Sequence, residues 1–129
     1  MNIPDHYQPI MPYLVVENAD DFIGFITTVF DAEEKLRVNR NEDGSLMHGE
    51  YSINGGTIML GQSSAEWKPF PCAMYIVTEN VDEVYQKGVA NGASGNQEPG
   101  ERGYGRSAGF LDRWGNQWWL NDPETREEE

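Results

Sequence analysis

The chain has 129 residues and a mass of 14.6 kDa, the size of one ordinary domain, with 38% hydrophobic residues and a mean hydropathy of -0.66. No apolar run approaches the roughly 20 residues of a membrane-spanning helix, and the opening Met1-Asn2-Ile3-Pro4-Asp5-His6 has neither a basic nor an apolar leader segment, so a cytoplasmic protein is expected. Nine basic residues against 22 acidic ones, a net charge of -13, exclude a phosphate backbone as a natural partner, and the lone Cys72 excludes an internal disulfide or a cysteine-rich metal cluster.

In chain order, residues 13–16 form a short β-branched run that predicts a strand. Asn18 follows as an expected N-cap, with Asp21 three residues on and a helical stripe at Phe22, Phe25, Ile26 and Val29. Strands are predicted over 35–40, 46–53 and 57–61, separated by Asp43-Gly44 and Asn54-Gly55-Gly56 turns. Residues 62–71, with Pro69 and Pro71, read as a connector. The pattern then starts again. Residues 74–77 predict a strand, Asn80 a cap, Val81, Val84, Tyr85 and Gly88 a helical stripe, and Asn91-Gly92 a stop. Strands near 97, over 106–111 and over 117–121 complete the second copy, while 95–105, rich in glycine, reads as a long loop and a mobile lid.

The recurrence is visible residue by residue. The stretch from Tyr13 to Phe22 matches that from Tyr75 to Val84 at an offset of 62, with five of ten positions identical. Gly49, Gly55 and Leu60 match Gly109, Gly115 and Leu120 at an offset of 60. The expected class is therefore α+β, two tandem β-α-β-β-β repeats (8–61 and 70–121) in one domain, residues 1–122, followed by an acidic tail, 123–129. Units this small are expected to pack together or to exchange between chains.

Strand alternation assigns faces. Leu14, Val16, Leu36, Val38, Met47, Tyr51 and Ile53 are expected beneath the helices, as are Trp118 and Leu120. The opposite face is expected to carry Met11, Tyr13, Val15, Lys35, Arg37, Asn39, His48, Glu50 and Ser52. In the second copy it is expected to carry Ala73, Tyr75, Arg106, Ala108, Phe110, Gln117 and Trp119. Aromatic side chains beside a few charged ones describe a small-molecule pocket. His48 and Glu50, two apart on one strand, are the candidate acid–base pair, with Arg37 or Arg106 available to hold an anion. Cys72 has no activating neighbour, and the glycines near 103–105 do not open a helix and so form no nucleotide loop.

The repeat, together with the closing Gly105-Arg106-Ser107-Ala108-Gly109-Phe110-Leu111-Asp112-Arg113-Trp114-Gly115-Asn116-Gln117-Trp118-Trp119, the opening Pro12-Tyr13-Leu14 and Met47-His48, resembles the vicinal oxygen chelate superfamily. That group comprises glyoxalases, extradiol dioxygenases and bleomycin-resistance proteins, and the likeness is to its PhnB-like branch. Arg113 departs from the proline usual after Asp112. The resemblance implies a cupped mixed sheet of the glyoxalase/bleomycin-resistance fold, a homodimer, and pockets in the cups. It also implies that the metal-ligand positions of the family's enzymes fall at Met11, Met59, Ala73 and Trp119, none of them a histidine or carboxylate. A one-residue shift offers Pro12, Leu60, Cys72 or Met74, and Trp118 or Leu120, which restores no ligand set. A 2-His-1-carboxylate site would require both histidines, His6 and His48. The expected function is thus metal-independent and cofactor-free binding of a planar or cationic compound by Met11, Tyr13, Arg37, His48, Glu50, Met59, Tyr75, Arg106, Phe110 and Trp119. The alternatives are a metal-dependent lyase, isomerase or dioxygenase with a displaced site, or acid–base chemistry at His48 and Glu50.

Overall fold

A computed structural model describes residues 2–124; most of the acidic tail lies outside the described residues. Two compact units divide between Cys72 and Ala73. The first contains β1 (Tyr13–Val16), α1 (Ala19–Phe30), β2 (Glu33–Asn39), β3 (Leu46–Ile53) and β4 (Gly56–Gln62). The second contains β5 (Ala73–Val77), α2 (Val81–Ala90), β6 (Ser94–Glu101), β7 (Arg106–Leu111) and β8 (Gln117–Asp122). Each sheet is mixed. The orders β1-β4-β3-β2 and β5-β8-β7-β6 are equivalent, with the first strand parallel to the last and the other pairings antiparallel.

Helix α1 buries Phe22, Phe25, Ile26 and Val29, spaced three and four apart on one face, and Leu14, Val16, Ile58, Leu60, Tyr51 and Ile53 are buried on the strands. It ends at Asp31, whose φ of 55° is left-handed and whose backbone N–H reaches the Thr27 carbonyl. Neither Asn18 nor Asn80 caps its helix with a side chain. Asn18 is itself left-handed, φ 49°, and its carbonyl accepts from Asp21 and Phe22, so it serves as a bend rather than a side-chain cap.

In the second unit Met74, Val81, Ala108, Phe110, Trp118 and Leu120 are buried. Gly88 lets α2 approach the sheet, since a β-carbon there would overlap the Phe110 ring. Residues 95–105 are not an open lid. Most of them form the edge strand β6, which pairs Gly95 with Phe110 and, after one slip, Gln97 with Gly109; its register slips again around Pro99, where proline has no N–H to offer a ladder. Arg102 then ties the bend, donating to the Glu98 carbonyl at 2.6 Å and the Gly100 carbonyl at 3.1 Å.

Two slips in the β2–β3 ladder, and a parity in β7 opposite to the expected one, overturn expected faces. The ladder between β2 and β3 slips between Glu34 and Leu36, so Leu36 pairs with Glu50, and Arg37 with Gly49. Leu36 and Val38 therefore lie on the sheet face away from α1, and Arg37 turns to the helix side, where it meets Asp20 of α1. A second slip between Val38 and Asn39 lets Leu46 take the buried position, leaving Met47 half exposed instead of beneath the helix. In β7, Phe110 pairs with Trp118 and Ala108 with Leu120, so Arg106, Ala108 and Phe110 share the helix side; a one-residue shift in parity reverses every side chain.

Candidate functional site

Glu50 is 1% exposed, on the sheet face away from α1 between Met59 of β4 and Leu36 of β2. Its carboxylate gathers both histidines of the chain: His6 Nε2 lies 2.7 Å from Oε1 and His48 Nε2 2.8 Å from Oε2. The Tyr7 hydroxyl donates to Oε2 at 2.6 Å. Burial pushes the Glu50 carboxyl up, but the hydrogen bonds from Tyr7, His48 and His6 outweigh it and hold its pKa at about 2. Ionised, it can only accept, so each imidazole presents an Nε2–H to it. On its other side His48 Nδ1 lies 3.0 Å from the Tyr13 hydroxyl, which joins the two in a hydrogen bond. The segment carrying His6 is anchored by Thr57, whose hydroxyl donates to the His6 carbonyl and whose N–H donates to Gln8 Oε1 at 2.7 Å.

Tyr13 also lines a groove of about 750 Å³ in the first unit, walled by Val15, Met47, Trp67 and Phe70 and carrying Arg40 and Glu66. Trp67 is 63% and Phe70 71% exposed. The connector is ordered at both rings, because Ser64 and Trp67 bond each other, and the Phe70 N–H donates to the Val15 carbonyl at 2.9 Å. The Arg40 guanidinium donates to Ser45 Oγ and the Gln62 carbonyl, each at 2.9 Å. Sequence reasoning missed Trp67 and Phe70. The signal was two large aromatics in an otherwise polar, proline-bounded connector.

In the second unit, Tyr75 and Trp119 pair across β5 and β8 and line a pocket of about 490 Å³ with Tyr104, Gln97 and Ser107. Phe110 is absent from it, being fully buried on the other face. Arg106 grips Asp82 of α2 through two bonds of 2.6 and 2.8 Å and reaches Glu101 at 3.4 Å; the bonds to Asp82 raise its pKa further. Arg37 is likewise engaged, by Glu34 at 3.1 Å and Asp20 at 3.3 Å. The structure thus brings Tyr13, His48, Glu50 and Met59 together on one face and Tyr75 and Trp119 on another, and draws Arg37, Arg106 and Phe110 away. Met11 lies half-buried just before β1. Burial pushes the Cys72 thiol up, away from the reactive thiolate.

The donor set tests the metal that the fold implies. At Met11 and Met59 in one unit and Ala73 and Trp119 in the other, two thioethers, a methyl group and an indole stand where imidazole or carboxylate would be needed, and these do not fit a hard or borderline divalent ion. His6, His48 and Glu50 do meet, but as hydrogen-bond partners. Among the described residues, no three His, Cys, Asp or Glu side chains are arranged to hold an ion.

Tandem β-α-β-β-β units, each with a pocket on its sheet, define a protein class, and the sequence comparison agrees with it. Residues 3–120 match the Glyoxalase/Bleomycin resistance protein/Dioxygenase superfamily, and the chain belongs to that superfamily. Among curated relatives, the uncharacterized protein Mb0911c of Mycobacterium bovis is 30% identical, with 88% of this chain and 82% of that protein aligned. A PhnB protein from Bacillus cereus, described as a putative 3-demethylubiquinone-9 3-methyltransferase, has the same fold at 22% identity and a TM-score of 0.70, covering 88% of this chain and 98% of that one. The fosfomycin resistance protein FosX from Listeria monocytogenes, solved as a point mutant with Mn(II) and a dihydroxypropylphosphonic acid, is 25% identical with a TM-score of 0.63, covering 92% of this chain and 90% of that one.

Proposed function

We propose that the chain is a small-molecule-binding protein whose first unit stacks flat compounds, planar cations among them, in its groove without a resident metal. The observation that carries this reading is the gathering of Tyr13, Met47, Trp67 and Phe70 around one opening, with the two connector rings largely exposed. Large apolar rings are kept at a soluble surface at a free-energy cost unless something covers them. A stacked ring contributes ~0.5–1.5 kcal/mol beyond its buried area, and a cation over a ring a similar amount. Residues 1–61 carry ten acidic against three basic side chains, a balance that favours a positive ligand, and within the groove Glu66 offsets the charge of Arg40. The thioether and indole groups at the superfamily's ligand positions support the metal-free part of the reading. No described helix is long and apolar enough to cross a membrane. The acidic balance favours small molecules over nucleic acid as partners, and the proposal includes a homodimer working in the cytoplasm.

Fluorescence titration with bleomycin and with proflavine, a flat cation, tests the reading. Wild type is expected to show saturable quenching, and Trp67→Ala to bind about fivefold more weakly, the equivalent of one lost stacking contact. No response to either compound overturns it. Stoichiometric Zn, Mn, Ni or Fe in protein purified from supplemented cultures would overturn the metal-free part.

A further inference from the structure

Ahead of β1 the chain runs beside β4 as a strap. The Met59 N–H donates to the Pro12 carbonyl at 2.9 Å, the Thr57 N–H to Gln8 Oε1 at 2.7 Å, and the Thr57 hydroxyl to the His6 carbonyl. From this strap His6 and Tyr7 reach both oxygens of Glu50, His6 Nε2 at 2.7 Å from Oε1 and the Tyr7 hydroxyl at 2.6 Å from Oε2. The aliphatic side chains add little grip, since Ile3 is 59% and Ile10 88% exposed, so closure of the strap rests on these polar bonds.

Glu50 is buried and ionised, yet among the described residues no lysine or arginine bridges it. Its partners are a phenol and two imidazoles, and the imidazoles are charged only if protonated. Buried carboxylates are ordinarily matched by a full positive charge, so a cation is the partner this side chain suits best.

We propose that the strap is an internal stand-in for a cationic ligand: a compound carrying an amidinium or guanidinium group takes both oxygens of Glu50 in place of His6 and Tyr7 and lifts residues 3–10 away from β4. The strap places one donor on each carboxylate oxygen. An amidinium meets the same demand with two parallel N–H donors in one plane, and it adds the delocalised charge that a phenol lacks. His48 keeps its own bond to Oε2 and holds the carboxylate in place. The ten acidic against three basic side chains of residues 1–61 draw such a cation toward the unit. A closed strap lowers the apparent affinity by the fraction of molecules it occupies, so loosening it strengthens binding. Glu50 lines no part of the groove, and this site is separate from the stacking surface there.

The test titrates acetamidine, an amidinium with no ring to stack, into isotope-labelled protein, with amide exchange at Thr57 read by NMR because the strap's Gln8 holds that N–H. Tyr7→Phe, which takes one competing donor off the carboxylate, is expected to bind about tenfold more tightly than wild type. At saturation of either protein, exchange at Thr57 is expected to rise by about tenfold or more. Glu50→Gln, checked for fold by circular dichroism, is expected to lose binding. No binding by Tyr7→Phe at up to about 10 mM overturns the site. Equal affinity in wild type and Tyr7→Phe, or binding that leaves Thr57 exchange unchanged, overturns displacement of the strap. Binding that survives Glu50→Gln overturns the carboxylate as the cation's partner. Each of these failures leaves the groove reading standing, because proflavine and bleomycin quenching decides that reading separately.

Discussion

Glu50 is the side chain on which the first unit's polar chemistry turns. A buried carboxylate is destabilising unless its oxygens are paired, and here three donors from two distant parts of the chain pair them. Its folded pKa, about 2, lies below the ordinary 4.5, so its contribution to stability is fully present above pH 4.5 and is lost as the pH falls from there through 2. Urea midpoints measured from pH 6 to pH 2 should therefore fall more steeply in wild type than in Glu50→Gln. At neutral pH the variant should be less stable by about 1–3 kcal/mol, because an amide turns one acceptor into a donor facing donors. The pair His48 and Glu50 was legible from a spacing of two on a strand. His6 and Tyr7 were not, since they reach the carboxylate across 44 and 43 residues of chain, a closeness no local pattern encodes.

Among the elements, the strands and helices follow from β-branched runs, apolar stripes and turn residues, while their faces depend on bulges. Two slips in the β2–β3 ladder turn Arg37 toward α1 and release Met47 into the groove. Around Pro99, glycines that suggest a loop are instead held as an edge strand, because the neighbouring β7 supplies pairing that a propensity reading cannot see. The turn between β7 and β8 shows the converse, a local motif that organises its surroundings. Asp112 is buried and accepts from the N–H groups of Trp114 and Asn116, from Asn116 Nδ2 and from the Trp118 indole, the last at 2.8 Å. Asp112→Asn should lower stability by about 1–3 kcal/mol in urea titration and shift the emission of the buried Trp118 to longer wavelength.

For the whole molecule, the net charge of -13 is unevenly spread: -7 on residues 1–61, -2 on 62–120 and -4 on the rest. Each unit covers one sheet face with a single helix, and the other face keeps large apolar groups such as Leu111, 41% exposed. Units of this size gain stability by burying such faces against another copy. Light scattering should give twice the chain mass of 14.6 kDa, and Leu111→Glu should shift it toward a single chain; a wild-type monomer at micromolar concentration would remove the dimer from the proposal.

The sequence by itself determined the duplication and the β-α-β-β-β order, because these rest on periodicity and turn chemistry written locally along the chain, and its motifs carried the resemblance to the superfamily. Only the tertiary structure decided which face each strand shows, that Trp67 and Phe70 wall a groove, and that Tyr13 is joined through His48 to a carboxylate ringed by His6 and Tyr7. Those facts depend on ladder register and on contacts between distant segments, where a slip of one residue reverses a strand without altering its pattern.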